Sequence, residues 1–481
     1  MSDCEPQVDS ASNDLPLGES RRSFLWQFGG GFGGVALAHL LGQEHLLADQ
    51  PTGCHHPPRA KRVVQLFMNG GVSQVDTFDY KPALARRHGE SIDFGIKAAA
   101  TSKPGAIMQS PFRWRQHGES GRWASDAIPH MAQCVDDMAF LMAMASKSNV
   151  HGPASYMQNT GFITPGYPCL GSWLSYGLGR LSDNLPSFVV LPDPLGLPYN
   201  GLGNFSQGFL PAAHQGTLIQ PTLPTPIANL HPPNSASYIT QQSESAGRKL
   251  LEALNRRHQS QRPGDSRLEA RIASYEMAAR MQLSAPQVLD LSKETQSTRD
   301  LYGLDREETA AFGTNCLIAR RLLENDVRFV QVWSGMDGAK DNWDNHASIQ
   351  RELPKIARTV DKPIAGLLQD LKQRGMLEDT LVVWSTEFGR MPFTQGQEGR
   401  DHNGGAFVTW LAGAGIRRGA VFGQSDEFGY QGVEGQTYCY DLHATILHLL
   451  GIDHTRLTVR HNGIDRRLTD VHGHVIHEIL G

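Results

Sequence analysis

Arg62-Val63-Val64-Gln65-Leu66-Phe67-Met68, followed at once by Asn69-Gly70-Gly71, decides the fold. Seven mostly β-branched and apolar residues are too few for an ordinary helix, and Asn-Gly-Gly is turn chemistry. The run reads as a buried strand entering a tight loop. Related runs follow at 140–145, 188–191, 327–333, 381–384 and 407–411, with helical-period stretches at 316–324 and 349–374 between several of them. Strands alternating with helices predict an α/β domain over 61–481, with a mostly parallel sheet flanked by helices on both faces.

The composition fits that class. Across 481 residues, 44 Lys and Arg against 49 Asp and Glu leave a net charge of −5, which supplies no basic surface for a nucleic acid partner. Charged residues make up 19%, below the roughly 25% of ordinary domains, while 50 glycines and 27 prolines point to elaborate loops. Histidine, at 20, outnumbers Tyr (11) and Trp (8) together, whereas there are 6 cysteines and no Cys-x-x-Cys pair. A metal bound here would therefore be held by imidazole and carboxylate.

Two segments stand apart from the alternation. Ser20-Arg21-Arg22-Ser23-Phe24-Leu25 precedes a Gly-rich, weakly apolar run over 26–42, too short for a spanning helix. It looks like a twin-arginine export signal over 1–48, which implies the twin-arginine translocation machinery as a partner, no stable membrane span, and a periplasmic or extracellular destination. The five cysteines beyond it are an odd, scattered set and not a disulfide framework. Farther on, 191–235 holds nine prolines and one charged residue, Asp193, which reads as an ordered lid. Two amphipathic helices follow at 238–259 and 267–283, with Ile239, Leu250, Leu251, Leu254 and Leu268, Ile272, Tyr275 on their apolar stripes. Together, 191–310 reads as a Pro-rich lid and helical insertion.

Ligands of an open parallel sheet bind beyond the carboxyl ends of its strands, so the loops there carry the chemistry. The first strand delivers Asn69, Ser73 and Asp76, and the second leads to His151. The strand at 327–333 is followed by Asp344-Asn345-His346, the strand at 381–384 by Thr386-Glu387-Phe388-Gly389, and a glycine-rich excursion brings His402-Asn403-Gly404-Gly405. Histidines and carboxylates converging on one sheet edge have the makeup of a divalent site for Zn, Mn, Mg or Ca. Taken singly, each residue has a plainer reading: Asp344 as the cap of the next helix, Glu387 as a turn residue, His346 and His402 as solvated loop histidines. His472, His474 and His477 read as a solvated tail. Asp79 is either a further carboxylate for the site or a turn residue.

Several motifs resemble the alkaline phosphatase and sulfatase superfamily, and more closely a group of twin-arginine-exported bacterial proteins of unknown function allied to it, over roughly 61–480. The stretch from Asp441-Leu442-His443 to Leu450-Gly451-Ile452 is similar to the D-L-x-P-T-L-L-x-L-A-G-I helix of sulfatases, with Ala444 in place of Pro. His402-Asn403-Gly404-Gly405, a strand, and Gly413-Ala414-Gly415-Ile416 are similar to the H-G-G, strand, G-P-G-I stretch whose histidine is a metal ligand. His151-Gly152-Pro153-Ala154-Ser155 with Thr160-Gly161 is similar to C-x-P-S-R followed by T-G.

The resemblance implies a sulfatase-like fold and a metal site formed by Asp344, His346 and His402. It also implies departures. His151 stands where the family has the Cys or Ser that becomes formylglycine, so that chemistry is not expected. Asn69 and Phe388 replace carboxylate and second-metal positions. Two functions remain open on these residues. One is an exported metal-dependent hydrolase of phosphate or sulfate esters, acting on a small-molecule or glycan ester, with His151 as acid, base or nucleophile, Glu387 beside the ion, and Asn69, Ser73 and Asp76 as additional candidates. The other is a non-catalytic exported binding protein for a glycan or anionic polymer that retains the fold.

Overall fold

The first strand forms where the sequence places it, as β1 (Arg62–Met68), and it lies inside a sheet with parallel neighbours on both sides. The structure, a computed structural model, describes residues 53–92, 104–228, 241–262, 266–338 and 340–481; the export-signal reading at 1–48 and Ile239 lie outside these. The other strands of the sheet are β2 (Met138–Met144), β3 (Phe188–Leu191), β4 (Thr217–Leu218), β5 (Phe329–Ser334), β6 (Thr380–Ser385), β7 (Phe407–Gly413) and β8 (Val421–Phe422). Their spatial order is β8-β2-β7-β6-β1-β5-β3-β4. Every pairing is parallel except the two made by β7, which runs against β2 and β6.

Both faces of the sheet are covered, as its near-continuous apolar strands require. The helices of nine or more residues are α1 (His151–Thr160), α2 (Leu170–Leu178), α3 (Gln241–Ser260), α4 (Ser266–Leu289), α5 (Glu307–Glu324), α6 (Ile349–Gln373) and α7 (Cys439–Leu449). Alternation along β1 divides its side chains: Val64, Leu66 and Met68 join one core with Leu317 of α5 and Leu353 and Leu367 of α6. Val63 and Phe67 face the other way, into a core with Trp173 of α2 and Leu442 and Ile446 of α7. Each fully buried aliphatic side chain is worth about 1.5–3 kcal/mol, so the two cores hold the sheet between them.

Parts of the 191–310 region join the sheet and its core. Thr217–Leu218 pairs with β3 and extends the sheet edge, a contribution too short to show as a sequence pattern. Helix α4 seats Met281, Ala285 and Val288 in the first core. On α3, Leu250, Leu251 and Leu254 are instead exposed, because an apolar stripe is buried only where the fold supplies a facing surface. Among the described residues, no helix is long and apolar enough to cross a membrane.

The parallel strands β1, β2, β5 and β6 all end at one edge. Since β7 is antiparallel, the loop that precedes it arrives at that same edge. The loops pack closely there. Gly70 has φ +121°, and a Cβ on it would lie 2.6 Å from the backbone nitrogen of Trp343 and 2.7 Å from that of Asp344. Only glycine permits this approach between the loops after β1 and β5.

Candidate metal centre

His151 opens α1 directly beyond β2. Asp344 and His346 come from the loop after β5, which is pinned by the Trp343 N–H donating to the Asn69 carbonyl at 3.1 Å and the Trp343 indole donating to Ser334 Oγ at 3.1 Å. The Asp344 N–H donates to Asn342 Oδ1 at 3.0 Å, which fixes that residue's direction. His402 sits in a two-residue antiparallel ladder with Arg390, just before β7. Four residues, His151, Asp344, His346 and His402, thus meet with ligand-type atoms all within 4.8 Å of one another.

Their meeting point is one oxygen. Asp344 Oδ1 lies 2.7 Å from His346 Nε2, 3.0 Å from His402 Nε2, 3.2 Å from His151 Nε2 and 2.5 Å from Arg390 Nη2. A carboxylate oxygen has about two lone pairs, so four nitrogens exceed what ordinary hydrogen bonding can satisfy. The imidazole tautomers sharpen the point. His402 Nδ1 donates to the Asn149 carbonyl at 2.7 Å, and His346 Nδ1 donates to Gln395 Oε1. Both protons then sit on Nδ1, so the two Nε2 lone pairs face each other at 2.8 Å. Two facing lone pairs repel unless a cation lies between them, and an outward N–H held by an acceptor is the usual support of a metal-ligating histidine. These residues fit a divalent ion.

The electrostatics agree. Burial by itself would raise the pKa of Asp344, but contacts with His151, His346, His402 and Arg390 outweigh it and hold the carboxyl far below the usual range. Burial pushes His402 down to about 4, with only partial compensation from Asp344, so its ring is neutral and free to ligate. His151 is shifted the other way: burial opposes its charged form, yet Asp344 and Glu387 together outweigh burial and raise its pKa.

Glu387, fully buried, accepts from His151 Nδ1 at 2.7 Å and from the Gly70 N–H at 2.8 Å. Asn69 lies beside the centre with its amide nitrogen donating to the carbonyls of Gly335 (3.2 Å) and Met336 (3.4 Å), leaving a buried Oδ1 without a partner. Ser73 and Asp76 are engaged elsewhere: Ser73 Oγ donates to Asp76 Oδ2 at 2.5 Å, and that oxygen pairs with Arg400 Nε at 2.6 Å. The 3-10 turn over Gln74–Asp76 commits them to this buried ion pair. Asp79 is likewise held by Lys81 at 3.1 Å and by Ser425 at 2.5 Å. Asp344 does not cap the next helix, whose N-cap is Ser348.

Arg390 and Tyr199 escaped the sequence reading, and Phe388, read there only as a replaced ligand position, packs on the centre's rings. Arg390, fully buried, donates to the carbonyls of Gly71 (2.8 Å), Arg400 (3.1 Å), Trp343 (3.2 Å) and Gly70 as well as to Asp344. Tyr199, from the Pro-rich segment, stacks on His151 with centroids 4.4 Å apart and an interplanar angle of 9°. Phe388 packs against the rings of His151 (4.9 Å) and His402 (4.7 Å). Arg390 closes the Glu387-Phe388-Gly389 stretch, which was its one available signal.

Among solved structures, the chain is similar to the PsFucS1 sulfatase from Pseudoalteromonas sp., at 12% identity and a TM-score of 0.37, covering 82% of this chain and 68% of that one. It is similar to the lipoteichoic acid synthase LtaP from Listeria monocytogenes at 10% identity and a TM-score of 0.35, with 82% and 73% covered. For the alkaline phosphatase from the Antarctic bacterium TAB5 the values are 10% and 0.33, with 82% and 98% covered. No curated protein matches the sequence. The family described as "Protein of unknown function (DUF1501)" matches residues 60–480, which takes in β1, the Pro-rich segment and every residue of the candidate centre, and the chain belongs to that family.

Proposed function

We propose that the protein is an exported, metal-dependent hydrolase of phosphate or sulfate esters that works without formylglycine. The observation that carries this reading is the convergence of His346 and His402, each with Nδ1 committed outward, on Asp344 Oδ1. A divalent ion held there supplies Lewis-acid polarisation of an ester oxygen and brings the pKa of water toward ~7. Asp344, His346 and His402 hold it, and Arg390 keeps Asp344 ionised and in place. Glu387 fixes the Nδ1–H tautomer of His151, leaving its Nε2 lone pair aimed at the centre. The twin-arginine motif supports export to the periplasm or beyond, and the lid segment supports a small-molecule or glycan ester as substrate.

The test is metal analysis of the purified protein, then turnover of aryl phosphate and aryl sulfate by the parent and by His346→Ala and His402→Ala. Bound divalent ion and turnover abolished in both variants are expected. Absence of ion, or turnover unchanged by both substitutions, overturns the reading. A second reading, a non-catalytic glycan- or polymer-binding protein, draws on the Tyr199 ring that covers His151. Binding on a glycan array by a protein without turnover would favour it.

A further inference from the structure

We infer that His151 is the fourth ligand of the centre, making it a three-imidazole, one-carboxylate cage. The inference rests on the metal-centre half of the function proposed above and not on ester turnover.

The three histidines are built alike. Each has Nδ1 tied to an acceptor outside the cluster: Glu387 Oε1 for His151, Gln395 Oε1 for His346, the Asn149 carbonyl for His402. Each points Nε2 at Asp344 Oδ1, at 3.2, 2.7 and 3.0 Å. With bonds near 2.0 Å, neighbouring ligand atoms of a tetrahedral ion stand about 3.3 Å apart. The His151 spacing is that of a ligand. Its Nε2 is buried and has no aligned hydrogen-bond partner, which suits a lone pair reserved for an ion.

A proton-transfer role fits less well. A general base must come within about 2.6–3.2 Å of the proton it takes, or reach it through one water. Tyr199 stacks on the His151 ring, Phe388 lies against it, and the His402 ring meets it edge-on at 4.3 Å. Little of the ring is left for a substrate proton. Three imidazoles also narrow the ion: a borderline metal such as Zn suits them, whereas Mg, Ca and Mn favour oxygen ligands.

The experiment uses the full chain. Zinc affinity is measured by competition with a chelator for the parent, His151→Gln and Glu387→Gln, and the imidazole count around bound zinc is read by X-ray absorption on the parent. A ligand role predicts three imidazoles, a loss of affinity above about 100-fold for His151→Gln, and a loss of about 10–100-fold for Glu387→Gln, the range for an outer-shell partner. In His151→Gly, added imidazole should restore zinc binding. Two imidazoles in the parent, or His151→Gln affinity within about threefold of the parent, overturns the inference. Turnover lost with affinity intact also overturns it while leaving the hydrolase standing. Affinity lost in a protein that hydrolyses no ester upholds the ligand and removes the hydrolase.

Discussion

Replacing Arg390 with Met should unfasten the centre. The guanidinium is fully buried and serves four carbonyls and the Asp344 carboxylate, so methionine keeps much of the aliphatic volume and removes every one of those donors. Hydrogen bonds to a charged group contribute about 1.5–3 kcal/mol each, and five of them sum to more than any single residue delivers, because burying the guanidinium costs its hydration. Removing one partner of a buried pair costs about 3–5 kcal/mol, and that is the bound we adopt. About 4 kcal/mol corresponds to roughly three powers of ten in the folding equilibrium. Urea denaturation followed by circular dichroism, in chelator and in zinc, reads this directly. The loss should be larger in chelator, because a bound ion supplies Asp344 with the positive charge that Arg390 otherwise provides. A loss below about 1 kcal/mol in chelator would refute the assignment of Arg390 as the support of Asp344.

Three further outcomes follow from the same geometry. Gly70→Ala places a Cβ 2.6 Å from the Trp343 nitrogen at a positive φ, and should destabilise by about 1–3 kcal/mol from strain alone while lowering zinc affinity; unchanged affinity by chelator competition would contradict the packing described. Burial lowers the pKa of His443 to about 4 and that of His214 to about 4, so both stay neutral in the folded protein while the unfolded chain takes up protons below about 6.5. Stability should therefore fall as pH drops from 6.5 to 4, by up to about 3 kcal/mol per histidine, and urea midpoints in His443→Gln should show a shallower slope. The described cysteines, Cys54, Cys134, Cys169, Cys316 and Cys439, are free thiols, so a reducing agent should leave the melting temperature unchanged; a drop of several degrees would reveal a disulfide.

The sheet was legible because its interior strands are apolar runs bounded by turn residues: β1 and β3 have the bounds the pattern implies, and β2, β5, β6 and β7 differ by one or two residues at their ends. The edge strands β4 and β8, two residues each, are defined by neighbours and not by their own side chains. Within the centre, Asp344, His346 and His402 could be singled out since all reach the sheet edge that the topology selects. Ser73 and Asp76 show the limit of that argument, because closeness to a strand end does not say which partner captures a side chain: Arg400 captured Asp76, and Asp76 holds Ser73. Arg390 was unreadable for another reason: a fully buried arginine is rare, and its value lies in carbonyls supplied by three separate loops. The role of His151 depends on which nitrogen carries its proton, and that is set by Glu387, 236 residues away in the chain.

The reversed direction of β7 bears on how the protein is assembled. His402 precedes that strand and reaches Asn149 across 253 residues, and β7 lies between β2 and β6 in the finished sheet. A ribosome-bound chain lacking β7 holds His151, Asp344 and His346 but not the strand that seats the His402 loop beside them. Contacts of such long range form late, after loop closure has been met by the rest of the sheet. Ion uptake should accordingly be among the last folding events, and zinc binding during refolding would time the insertion of one strand.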